Sequence, residues 1–150
     1  MSCYHHRPTR AEIVKIARSW IGTPYHHQAS LVGCGTDCLG LVRGIWRELH
    51  GSEPAALPPY SRDWGEASGR ETLLEAARRH LFEVESKNPL PGDVLLFRLR
   101  ASLPAKHVAV LATGTTMVHA MEGVSVAEVA FGPWWRRHLA GVFSFPGIEG

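Results

Sequence analysis

The residues best suited to chemistry in this chain are Cys38, His107 and His119. Cys38 opens the stretch CLGLVRGIWRELHG. There Cys38, Leu41, Val42, Ile45, Trp46 and Leu49 recur at helical spacing, so the thiol heads the buried stripe of an amphipathic helix. Free amides and the dipole at a helix N-terminus favour an anion there. A thiol so placed can have its pKa lowered, and the thiolate is the reactive form. Asp37, next in the chain, pushes the other way unless its charge is turned aside. Four roles fit such a cysteine: core residue, metal ligand with Cys34, half of a disulfide, or nucleophile.

The histidines favour the nucleophile. His107 opens HVAVLAT and His119 lies near the end of TMVHAM, with ATGT as the turn between them. A hairpin centred on Thr113 pairs His107 with His119 across the strands, and their parity keeps them on one face even if a bulge shifts the register. Ala109, Leu111 and Met117 share that face and suit packing under a helix. A cysteine at a helix tip, a histidine on a facing strand and a polar group behind it make a nucleophile, a base and an orienting residue. His107 would take the thiol proton or form an ion pair with the thiolate, and His119 would fix its tautomer.

The competing readings lack partners. Cys34 and Cys38, with His26 and His27 nearby, form at most one half of a zinc site, and no second knuckle follows. Three cysteines, Cys3 included, are an odd number for a disulfide framework, and MSCYHHRPTR has no apolar signal region. No metal and no cofactor are therefore expected. A net charge of +2 gives no argument for nucleic acid, and no run approaches the roughly 18 apolar residues of a membrane span. At 150 residues, 45% hydrophobic and 20% charged, the chain fits a single domain over 1–150, with 1–8 and 146–150 as peripheral tails.

The elements that must position these groups follow from the pattern. PTRAEIVKIARSWIG is a helix with a Thr9–Glu12 capping box, an apolar face of Ile13, Ile16, Ala17 and Trp20, and Gly22 as its stop. TPYHHQASLVGCGT is a loop. The second helix spans 38–50, with Thr36 or Asp37 as N-cap and Gly51 as terminator. Residues 52–67 form a long loop with Tyr60 and Trp64, either bordering a groove or packed as a surface crossover. A third helix over 69–82 turns Leu73, Leu74, Ala77 and Leu81 inward behind a Ser68–Glu71 capping box. After NPLPGD, the runs VLLFRL, HVAVLAT, TMVHAM, VSVAEVAF and GVFSFP read as strands with no helix between them, hence an antiparallel sheet and an α+β fold.

TDCLGLVRGIW, PLPGDVLLFR, KHVAVL and MVHA stand in the order and spacing of the NlpC-type bacterial cell-wall cysteine peptidases. The chain resembles that family over roughly residues 10–145, and most of all its phage and gene-transfer-particle tail variant. The resemblance implies a papain-like fold, with N-terminal helices packed on a C-terminal antiparallel sheet. Cys38 would be the nucleophile, His107 the base and His119 the orienting residue. Tyr25 would line the site and help at the oxyanion with the Cys38 amide, and Asp37 would hold a free amine of the substrate. The implied reaction is hydrolysis of an amide in a peptidoglycan stem peptide. The implied partner is a tail-tip or baseplate protein, and the implied route is synthesis in the cytoplasm and delivery to the target cell wall on the particle. Leu39 replaces the family's frequent serine, and HHQAS its frequent Gly-Gly pair, which bears on substrate preference. Other readings keep the fold but make it a structural tail plug with a vestigial site, or an amidase or acyltransferase. PWWRRH, residues 133–138, reads as a docking surface, a cleft wall, or a core tryptophan among solvated arginines.

Overall fold

The computed structural model describes residues 7–54 and 69–149. Most of the loop expected over 52–67, with Tyr60 and Trp64, lies outside them, as do Cys3 and Ser68. The elements in chain order are α1 (Arg10–Ser19), β1 (Ser30–Leu31), β2 (Gly35–Thr36), α2 (Cys38–His50), α3 (Thr72–His80), β3 (Phe82–Val84), β4 (Val94–Phe97), β5 (His107–Leu111), β6 (Thr116–Met121), β7 (Val124–Ala130), α4 (Pro133–Arg137) and β8 (Leu139–Ser144).

Local sequence sets each helix. The Thr9 side chain accepts from the Glu12 amide and the Glu12 carboxylate accepts from the Thr9 amide, so α1 opens on the expected capping box. Asp37 caps α2 by accepting from the Gly40 amide, and Gly51 ends it in the left-handed region that glycine tolerates. Gly44 lets α2 lie against α1: a Cβ there would stand 2.1 Å from Trp20 Cζ2. The Ser68–Glu71 box expected at α3 rests on a residue outside the described ones; among those described, Glu71 stands at the N-cap of α3 and its side chain does not cap the helix. Its carboxylate instead accepts from Arg98 and from the Ala105 amide, tying the helix to the loop before β5.

Six strands form one antiparallel sheet in the order β3-β8-β4-β5-β6-β7. Side chains alternate between its faces. Val94, Leu96, Val108, Val110, Val118 and Ala120 meet the buried residues of α1, α2 and α3. Leu95, Phe97, Ala109, Leu111, Met117 and Val142 form a second cluster with Phe131, against which Trp135 of α4 packs. The face carrying Ala109, Leu111 and Met117 thus packs under a helix as expected, and that helix is the short α4, since α1, α2 and α3 lie on the opposite face.

Three further differences from the sequence expectation have local causes. The stretch read as a loop after α1 contains the β1–β2 ribbon, whose two-residue strands are too short to show alternation. The third helix stops at His80, because Phe82–Val84 pairs with β8 as an edge strand. A short helix, α4, does interrupt the strands, with Pro133 at its first turn, where a missing amide hydrogen costs nothing. The ends of the described chain meet: Glu149 donates its amide to Pro8, and Ile148 packs on the core.

Candidate active site

The β5–β6 hairpin carries both histidines, in a different register from the one expected. Val110 pairs with Val118 and Leu111 with Met117, so the turn centres on Gly114. The Thr113 hydroxyl accepts from the Thr115 and Thr116 amides and closes that turn. Continuing the register puts His119 across from Ala109, and His107 is its diagonal neighbour on the same face. The diagonal suffices: His107 Nε2 lies 2.9 Å from His119 Nδ1, a hydrogen bond between two buried rings.

Cys38 is buried at the first turn of α2, and its thiol lies 4.0 Å from the Lys106 carbonyl oxygen, to which it donates. That contact joins the helix tip to the residue preceding His107. Cys38 and His107 line one cleft, together with Tyr25, Asp37 and His27 on one side and Leu99, Lys106, Ala120, Met121 and Glu122 on the other. With Nε2 of His107 bonded to His119, Nδ1 is the nitrogen left for the thiol. His119 does not line the cleft and sits behind His107.

Asp37 is almost fully buried, and backbone amides hold both its oxygens. Oδ1 accepts from Gly40 at 2.7 Å and Oδ2 from Gln28 at 2.7 Å, with His27 Nδ1 3.8 Å from Oδ2. To receive it, Gln28 adopts a left-handed backbone, φ 64°, uncommon for a residue with a side chain. Tyr25 reaches the cleft through its bridge to Thr36.

Burial governs the ionisation of the site. It pushes the Cys38 thiol up to about 12, with the Asp37 charge adding to it and backbone hydrogen bonds at Val108, Leu39 and Cys38 only partly opposing. Burial also lowers His107 to about 3, helped by the neighbouring His119, and His119 to about 4. At rest the cleft thus holds a neutral thiol and a neutral imidazole. Of the two proton states open to it from the sequence, this environment favours the thiol over the ion pair. The charge of Asp37 is held in place by amides, yet it still acts on the thiol.

Cys34 is exposed in the β1–β2 turn while Cys38 is buried, and neither is in a disulfide. Among the described residues, no three His, Cys, Asp or Glu side chains converge as a metal site, and no helix is long and apolar enough to cross a membrane. Sequence reasoning did not single out His27, Lys106 or Glu122 as cleft residues. Lys106 had a signal in standing next to His107, whereas Glu122 lies in a turn that no periodicity marks.

The family model that matches this chain is that of the NlpC/P60 family, over residues 22–143, and the chain belongs to that family. Its α+β fold is the papain-like one of solved members. An NlpC/P60 family protein from Bacillus cereus ATCC 10987 superposes with a TM-score of 0.65 at 18% identity, over 96% of this chain and 42% of that one. The NlpC/p60 domain of the peptidoglycan hydrolase SagA gives a TM-score of 0.60 at 23% identity, over 91% of this chain and 99% of the domain. A protein described as similar to lipoprotein, NLP/P60 family, from Staphylococcus aureus subsp. aureus Mu50 gives 0.59 at 17%, over 99% of this chain and 46% of that one. This chain thus spans less than half of the Bacillus and Staphylococcus chains. No curated protein sequence matches it.

Proposed function

We propose that this protein is a cysteine peptidase that hydrolyses an amide bond in peptidoglycan stem peptides. The observation that carries the reading is the cleft that Cys38 and His107 both line, with His119 hydrogen-bonded to the imidazole at 2.9 Å. Membership of the NlpC/P60 family and the likeness to a domain of a peptidoglycan hydrolase support the substrate class.

The chemistry follows from the neutral resting pair. Cys38 Sγ attacks the substrate carbonyl carbon while His107 Nδ1 takes the thiol proton, so the proton leaves sulfur as the C–S bond forms. His107 Nε2 donates to His119 Nδ1 and the positive charge on His107 is shared with that partner. The oxyanion lies at the N-terminus of α2, where the Cys38 amide donates, with Tyr25 as the second wall. His107 then gives its proton to the leaving amine, the C–N bond breaks and a thioester remains. Water, deprotonated by His107, attacks the thioester carbon; the C–S bond breaks, His107 returns that proton to sulfur, and the acid leaves, ionising to a carboxylate in solvent. Asp37 orders this geometry as the cap of α2, and the family reading adds a substrate amine as its counter-charge.

Delivery on a phage-like tail, with a tail-tip or baseplate partner, is proposed on the sequence resemblance of the four motif stretches. Cys38→Ala is expected to reduce cleavage of purified muropeptides to background while the circular dichroism spectrum is unchanged. Mass spectrometry of the digest identifies the bond and separates a peptidase from an amidase or acyltransferase. Cleavage by folded Cys38→Ala protein sinks the assignment.

A further inference from the structure

The PWWRRH stretch is not used by the mechanism above, yet one of its residues touches both histidines. The Trp135 ring centroid is 5.4 Å from that of His107, tilted by 33°, and 5.4 Å from that of His119, edge-on at 87°. Phe97 flanks the same assembly, 5.9 Å from His107 and edge-on to Trp135 at 4.9 Å. Trp135 lies on the sheet face of the second cluster and not among the residues lining the cleft. The indole is itself buttressed. Trp134 packs edge-on against it at 4.9 Å and stacks on His138 at 4.0 Å. His138 Nδ1 donates to the Trp134 carbonyl at 2.6 Å, and the Arg98 amide donates to the His138 carbonyl at 2.8 Å, anchoring α4 to the end of β4.

We propose that Trp135 is a positioning residue: its indole, backed by Phe97, walls the His107–His119 hydrogen bond off from water and holds His107 with Nδ1 turned to the cleft. A hydrogen bond between two neutral rings is weakened by competing water, and a dry wall on its far side removes that competition. An apolar wall also disfavours a charged imidazole, in line with the direction in which both rings are displaced. The charged and titratable groups near the pair belong to other elements. They are Cys38 and Asp37 at the α2 tip, His27 from the loop before β1, Lys106 beside His107, and Glu122 in the turn after β6. Opposite His119 on β7 stands Ala127, so the pair gains no charge from that strand.

The catalytic half of this proposal rests on the peptidase reading, whereas its titration half does not. The test compares full-length Trp135→Leu and Trp135→Phe with the unaltered protein. Imidazole titration by NMR is expected to show His107 and His119 moving up by about one pH unit or more in Trp135→Leu, and by much less in Trp135→Phe. On muropeptides, kcat is expected to fall about tenfold in Trp135→Leu with KM within twofold, and the acid limb of the rate to rise with the titration. Trp135→Phe should restore most of both. Folded Trp135→Leu protein with both histidine titrations unmoved overturns the proposal. If Trp135→Leu does not fold, Trp135→Phe against Trp135→Tyr decides it: a polar hydroxyl in the wall moves the titrations up, and two identical curves overturn the idea. Histidines that shift on a protein inactive in its unaltered form support the wall and count against the peptidase reading alone.

Discussion

At the scale of residues, ionisation is what the fold does most to alter. Cys38 was recognisable from its place at a helix tip, and that argument predicts a lowered thiol pKa. Burial and the Asp37 charge reverse the direction. Helix position is legible from periodicity, but desolvation depends on what the sheet brings over the tip, which no local pattern records. The histidine pair has a consequence for stability. Both rings are held neutral in the folded protein, with values lowered from 6.5 to about 3 and about 4. The unfolded chain therefore binds more protons than the folded one below pH 6.5. Their contribution is fully present above pH 6.5 and is lost as the pH falls toward 4, at up to about 1.4 kcal/mol per pH unit for each ring. Urea unfolding measured between pH 7 and pH 4.5 is expected to show this loss. A His107→Gln, His119→Gln double variant should flatten that part of the curve; an equally steep variant would place the acid lability elsewhere.

At the scale of elements, α2 was readable from end to end because cap, stripe and terminator all lie within its own sequence. The β5–β6 turn was not, because its centre is decided by which hydroxyl bonds which amide. Thr113 turning onto Thr115 and Thr116 moves the register by two residues while preserving parity. Parity therefore gives the shared face of the two histidines, whereas their cross-strand partners depend on the turn. The β1–β2 ribbon and α4 were missed for want of length, since two to five residues are too few to show a period. Gly44 carries no mark in the apolar pattern of α2, yet it sets how closely α2 approaches α1. Gly44→Ala gains helix propensity of about 1 kcal/mol but drives a methyl to 2.1, 2.5 and 3.0 Å from three Trp20 ring carbons, an overpacking at the upper end of the usual range, about 2–3 kcal/mol. A net loss of about 1–2 kcal/mol is expected in the urea midpoint, with the greatest disturbance in Trp20 fluorescence. An unchanged or higher midpoint would mean that the α1–α2 contact yields without strain.

At the scale of the whole molecule, the sheet separates two cores that serve the site differently. The core under α1, α2 and α3 holds Cys38, and the core with α4 and Trp135 backs the imidazoles. The cleft sits where the two meet across the start of β5. The α+β division into three longer helices and a later run of strands was visible in the apolar periodicity, which changes near residue 94. The pairing of Pro8 with Glu149 was not, because it joins residues near opposite ends. That stitch has a topological consequence. A fold in which Pro8 and Glu149 already lie side by side is close to a ring, and a short peptide joining Arg7 to Glu149 would add almost no strain. Such a ring denies the unfolded chain its widest excursions, which in a chain-entropy account is worth up to about 4 kcal/mol. A cyclised protein is expected to unfold at higher urea than a linear control of the same sequence, with its cleft chemistry unchanged. A midpoint equal to that of the control would show that the Pro8–Glu149 contact opens readily in solution.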